Sequence, residues 1–153
     1  MNALELKVPP PVVALLVAAA MWGITMISVP IEVPNVVRYA VAATTAIAGG
    51  CIDLAGLIWF RRAKTTVNPL KPGNTTSLVT AGIYRFTRNP MYLGLLFLLL
   101  AWAVFLSSAW ALVGPVAFVL YIDRFQIAPE ERVLATMFGA TFSEYKARAR
   151  RWL

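Results

Sequence analysis

Pro90-Met91-Tyr92-Leu93-Gly94-Leu95-Leu96-Phe97-Leu98-Leu99-Leu100-Ala101-Trp102-Ala103-Val104-Phe105-Leu106, then Ser107-Ser108, then Ala109-Trp110-Ala111-Leu112-Val113-Gly114-Pro115-Val116-Ala117-Phe118-Val119-Leu120-Tyr121-Ile122 is the stretch that decides the fold. It contains no charged residue. Proline is well tolerated in the first turn of a helix, so Pro90 marks a start. The serine pair is the one polar break. Two apolar helices, 90–106 and 109–122, are therefore expected to form a tight hairpin with Pro115 as a kink, short enough to be tilted or to have an embedded tip.

Working outward from that hairpin, the same apolar character returns on its N-terminal side. A span over 12–29 is opened by Pro9, Pro10 and Pro11 and closed by Pro30 and Pro34. A second, over 36–60, ends in Arg61, Arg62 and Lys64, a basic stop at a membrane surface. Hydrophobic residues make up 59% of the 153 positions and charged residues only 14%, against roughly 45–50% apolar in an ordinary soluble domain. The expected fold class is all-α, an integral membrane protein of about four transmembrane helices in a single membrane domain. The first span, preceded only by Lys7 and followed by no small-residue cleavage pattern, reads as a retained helix rather than a signal peptide.

Between the second and third spans, residues 65–89 are polar and rich in Thr, Asn, Pro and Gly, interrupted by Leu78, Val79, Ile83, Tyr84 and Phe86. Those apolar side chains need a cover, so the segment reads as an ordered loop. From Asp123 onward, Val133, Leu134, Met137, Phe138, Phe142 and Tyr145 fall at helical spacing among charges, which predicts one or two amphipathic helices along the membrane surface. Six basic residues lie between the second and third spans (Arg61, Arg62, Lys64, Lys71, Arg85, Arg88) and six follow the fourth (Arg124, Arg132, Lys146, Arg148, Arg150, Arg151). The positive-inside rule puts both segments, and both termini, in the cytoplasm, as for a bacterial inner-membrane protein.

Several chemistries are excluded at once. Histidine is absent and Cys51 is the only cysteine, so there is no intrachain disulfide, no Cys/His zinc site and no histidine base; no metal site is expected. The net charge of +7 is better matched to anionic lipid headgroups than to nucleic acid, because the basic residues flank apolar spans and form no nucleic-acid module.

Two polar clusters can carry chemistry, 78–94 and 123–152. A two-helix hairpin returns the chain to its starting side, so Arg88 and Asn89 can face Glu130 and Glu131. Arginine grips a carboxylate in a planar fork, and a carboxylate accepts from ammonium and hydroxyl groups, so the pair suits a ligand carrying all of these. On charge alone, the bland reading of surface anchors and a solvated helix stands equal to it.

The run Leu78-Val79-Thr80-Ala81-Gly82-Ile83-Tyr84-Arg85, Arg88-Asn89-Pro90-Met91-Tyr92-Leu93-Gly94, Glu130-Glu131 with Leu134, Phe138-Gly139, Tyr145 and Arg151 resembles the isoprenylcysteine carboxyl methyltransferase and phospholipid methyltransferase families. The resemblance implies transfer of a methyl group from S-adenosylmethionine to a lipid-like or membrane-soluble acceptor at the cytosolic interface. It places Gly82, Asn89, Tyr92, Leu93, Gly94, Glu130 and Glu131 at the cofactor and Arg88 and Arg124 near the reacting centre. The prenylcysteine enzymes usually carry His where this chain has Asn89, whereas Asn occurs among lipid and bacterial relatives. An NADPH-dependent sterol or enone reductase, sharing a related Arg-x-Pro-x-Tyr-x-Gly pattern, and a non-catalytic scaffold are the competing readings.

Other features read as structural. Gly49, Gly50 and Gly56 suit close helix packing, and small residues on the first two helices permit a homo-oligomer. The tryptophans suit an interfacial belt. Asp53, some two turns inside the second span, is an acid at a depth where acids are functional candidates or interfacial partners.

Overall fold

A computed structural model describes residues 5–63 and 77–153; expectations for the polar stretch over 64–76, including Lys64 and Lys71, lie outside them. The described residues form helices, connecting turns and one isolated bridge pair, Thr87 with Arg150, and no strand. Helix α1 is Pro10–Thr25 and α2 is Asn35–Arg62. A 3-10 turn, Gly82–Arg85, precedes α3, Pro90–Leu106. A second 3-10 turn, Ala109–Leu112, leads into α4, Val113–Ile122. One π turn, Asp123–Ile127, carries α4 directly into α5, Ala128–Arg148.

Two helical stretches are long and apolar enough to cross a membrane, Asn35–Arg62 and the run from Ala109 onward, with α1 and α3 as shorter apolar helices. Leu15, Leu16, Ile47, Leu54 and Leu120 point outward and are 58–70% exposed. Such an apolar exterior is unfavourable in water and natural in lipid. The chain is thus an all-helical, membrane-associated protein.

Boundaries shift where turn chemistry overrides hydropathy. α1 stops at Thr25, whose hydroxyl donates to the Trp22 carbonyl, although the apolar run continues to Val29. The following residues are held from outside, with Ile31 N–H donating to Ser107 O (2.7 Å) and the Ser107 hydroxyl donating to Ile31 O (2.7 Å). Ser28 and Ser108 hydroxyls also pair at 2.9 Å. The hairpin tip is therefore clasped to the α1–α2 connection. Pro115 falls in the first turn of α4, where a missing N–H costs little, directly after the 3-10 turn.

Two apolar clusters organise the interior. The first joins α1, α3 and α4 through Val13, Met21, Leu99, Phe118, Ile122 and Ile127. The second, Val79, Tyr84, Phe142, Tyr145 and Ala149, packs with Leu78, Ile83 and Trp59 and gives the interrupted loop its cover. Phe86 is the exception, at 72% exposed. The amphipathic tail breaks at Gly139, whose φ of 50° and ψ of −121° only glycine adopts readily, so α5 is two helical segments.

Candidate functional site

The hairpin does return the chain to its starting side, and side chains from its two ends meet. Arg88, just before α3, donates from Nη2 to Glu131 Oε1 at 2.8 Å, with 11% and 12% of the two side chains exposed. Its Nη1 donates to the carbonyls of Lys146 and Ala149. Arg151 Nη2 reaches Glu131 Oε2 at 2.7 Å, and Lys146 Nζ lies 3.7 Å from the same oxygen. Burial alone would raise the Glu131 carboxyl, but hydrogen bonds from Arg151 and Arg88, with their charges, hold it below the usual carboxylate range.

Glu130 lies in a different environment one residue earlier. Tyr92 Oη, from the first turn of α3, and Gln126 Nε2, from the π turn, both donate to its Oε1 at 2.6 Å. Burial pushes this carboxyl up to about 7, outweighing the lowering by those two donors. Adjacent glutamates are thus tuned in opposite directions. That separation of two carboxylates by environment is a feature of functional sites.

Backbone pairing fixes the corner. Arg88 N–H donates to Arg150 O (2.8 Å), Arg150 N–H donates to Phe86 O (3.2 Å), and the Asn89 side-chain amide donates to Arg151 O (2.9 Å). Asn89 also opens α3, its carbonyl accepting from Leu93 N–H at 3.0 Å. Leu93 and Gly94 are buried on α3, and Gly94 meets Asp53 of α2, with no room for a Cβ between them. Gly82 lies flat against the Trp59 indole at a φ of 61°.

Of the residues singled out from sequence, Arg88, Tyr92, Glu130 and Glu131 form one hydrogen-bonded cluster, and Asn89 joins it through the Arg151 segment. Gly82, Leu93 and Gly94 sit in the packing beside it. Arg124 stands apart, exposed and with no hydrogen bond or ion pair among the described residues. Sequence reasoning passed over Gln126, whose spacing of four from Glu130 on a helix was the available signal. Arg151 had entered only within the motif, without a role.

The donor set suits a small zwitterionic ligand. Among the described residues, Arg88 Nε and the Tyr84 hydroxyl are buried without a hydrogen-bond partner, so unspent polar capacity accompanies a carboxyl poised near neutrality.

A protein from Haemophilus influenzae (strain ATCC 51907 / DSM 11121 / KW20 / Rd), described as uncharacterized, is 48% identical over 63 residues, which is 41% of this chain and 100% of that one. No solved structure matches. The family model described as phospholipid methyltransferase matches residues 37–141, from the start of α2, through the hairpin and the twin glutamates, and into α5. With the matched region spanning most of the chain and holding both halves of the buried cluster, this protein belongs to the phospholipid methyltransferase family.

Proposed function

We propose that the protein transfers the methyl group of S-adenosylmethionine to a lipid-like acceptor at the cytosolic face of a bacterial inner membrane, with four crossings and both termini in the cytoplasm. The observation that carries the reading is the closure of Arg88 on Glu131 and of Tyr92 on Glu130 across the apolar hairpin. Family membership supports methyl transfer to membrane lipids in general. The distribution of basic residues supports the orientation.

Bound S-adenosylmethionine supplies a methyl group already activated on a sulfonium, so the chain's own work is positioning and exclusion of water. Arg88 offers its free Nε to a carboxylate, while Glu130 offers an acceptor for ammonium or ribose hydroxyls. Glu131, saturated by Arg88 and Arg151, holds those cations in place rather than reaching out itself. Apolar residues of α3 separate this corner from the lipid phase, through which an acceptor arrives.

Calorimetric titration of the purified protein with S-adenosylmethionine and with its demethylated product tests the proposal. Wild type is expected to bind both, with Arg88→Ala and Glu131→Ala weaker by about tenfold or more. Absence of heat and of any thermal shift in wild type, with binding of NADPH in their place, would transfer the site to the reductases.

A further inference from the structure

The seven acidic residues of the chain all fall among the described residues, and those at the polar end of the hairpin are already engaged. Glu131 takes Arg88, Arg151 and Lys146, Glu5 takes Arg132, Glu144 takes Arg148, and Asp123 accepts from Trp152 beside Arg151. Glu130 accepts from Tyr92 and Gln126. Of the remaining two, Asp53 lies inside α2 and Glu32 adjoins the serine contacts at the opposite end. Arg85 and Arg150 are exposed and make no ion pair among the described residues. Residues 1–4 and 64–76 contain no Asp or Glu, so the chain has no counter-charge to offer these two arginines.

An exposed aromatic ring adjoins both. Phe86 is 72% exposed, whereas Thr87 beside it is 1% exposed. The backbone accounts for the alternation. Arg150 N–H donates to Phe86 O and its carbonyl accepts from Arg88 N–H, so 86–88 run beside the C-terminal segment with successive side chains on opposite sides. Phe86 therefore has one unpaired arginine next to it in sequence, Arg85, and another next to it across the bridge, Arg150. Four residues later Pro90 opens the apolar helix α3, which puts the group at the level where the chain enters lipid.

We propose that Arg85, Phe86 and Arg150 form a docking site for anionic phospholipid headgroups of the leaflet on which they lie, the guanidiniums holding phosphate oxygens and the ring resting on the upper acyl carbons. A phosphate diester supplies the acceptors that the protein lacks for these two forks, and the acyl region beneath supplies the ring's cover. A soluble anion supplies the first without the second. The net charge of +7 favours a negative leaflet as the neighbour.

Occupancy of this site reaches the buried cluster through the main chain. Arg150 is the residue that clips 86–88 by its N–H and carbonyl, and the next residue, Arg151, delivers its guanidinium to Glu131 and its carbonyl to the Asn89 amide. A headgroup bound to Arg85 and Arg150 together ties the two segments across that clip, so the corner opens less often. The charge of the surrounding leaflet thereby sets how firmly the Arg88–Glu131 corner is held.

The test measures amide hydrogen exchange of the full chain in nanodiscs of dioleoylphosphatidylcholine, with or without dioleoylphosphatidylglycerol. The amides of Arg88 and Arg150 are expected to exchange roughly tenfold or more slowly in the anionic bilayer, a scale set by two arginines at a negative surface. Arg85→Gln combined with Arg150→Gln should remove the difference between the bilayers, and Phe86→Ser should reduce it by about threefold. Molar salt should act on wild type as the double substitution does. Amides inside α3 should respond to neither lipid nor substitution, which reports that the variants are folded. Equal exchange of wild type in the two bilayers, a lipid effect that persists in the double variant, or the same protection from inorganic phosphate in the neutral bilayer overturns the site. No methyl donor is present, so the outcome is independent of the methyl-transfer reading.

Discussion

Arg88 and Glu131 are 43 positions apart in the chain and 2.8 Å apart in space, and the pair is nearly out of reach of water. Removing Glu131 leaves Arg88 buried without its counter-charge, a loss of about 3–5 kcal/mol for a pair of this kind. Glu131→Gln is therefore expected to lower the unfolding midpoint more than Glu144→Gln, which removes the exposed 3.8 Å pair with Arg148. Differential scanning fluorimetry in detergent compares them. Arg88→Lys should not rescue, since one ammonium cannot reach Glu131 and the Lys146 and Ala149 carbonyls together.

Glycine at position 94 is set by the Asp53 carboxyl that fills its missing side chain. Gly94→Ala is expected to cost about 1–3 kcal/mol by overpacking. Pairing it with Asp53→Ala should recover most of that loss. A double-mutant cycle on chemical unfolding measures the coupling, and additive losses would place the two residues out of contact.

Gly82 carries two constraints at once, a φ of 61° and the Trp59 ring where a Cβ would stand. Gly82→Ala is expected to destabilise by more than the roughly 1–2 kcal/mol of left-handed strain alone. Trp59→Leu in the same background should relieve the collision and leave the strain.

The twin glutamates predict a pH dependence of stability. Glu130 has its folded-state value raised from 4.5 to about 7 by burial, so the native chain holds this proton where the unfolded chain has lost it. Its contribution is fully present below the unfolded value and is lost as pH rises through about 7. Glu131, held low by Arg151 and Arg88, works in the opposite sense and only in more acidic solution. The unfolding midpoint of wild type should therefore fall by several degrees between about pH 5 and 8. Glu130→Gln should flatten that slope.

The helical architecture was legible because lipid imposes a simple rule, and uncharged runs such as 90–106 matched their helix residue for residue. Where local chemistry competes with hydropathy the reading drifted, as at Thr25, where side-chain and serine-clasp hydrogen bonds end α1 inside an apolar run. The meeting of Arg88 with Glu131 followed from hairpin geometry. Glu130 and Glu131 read alike in sequence, yet one is buried among uncharged donors and the other sits between guanidiniums. Arg124 came from the family resemblance alone, and the π segment leaves it exposed, away from the Arg88–Glu131 pair, a placement that hydropathy and charge do not reveal.

The serine clasp at the far end of the hairpin, Ser107 on Ile31 and Ser108 on Ser28, ties the α1–α2 connection to the α3–α4 tip like the spring of a clothes-peg. That clasp holds one end of the helix pairs, and Arg88 and the glutamates lie toward the other. On the methyl-transfer reading proposed above, a greasy acceptor entering sideways is expected to part the unclasped end of the helices.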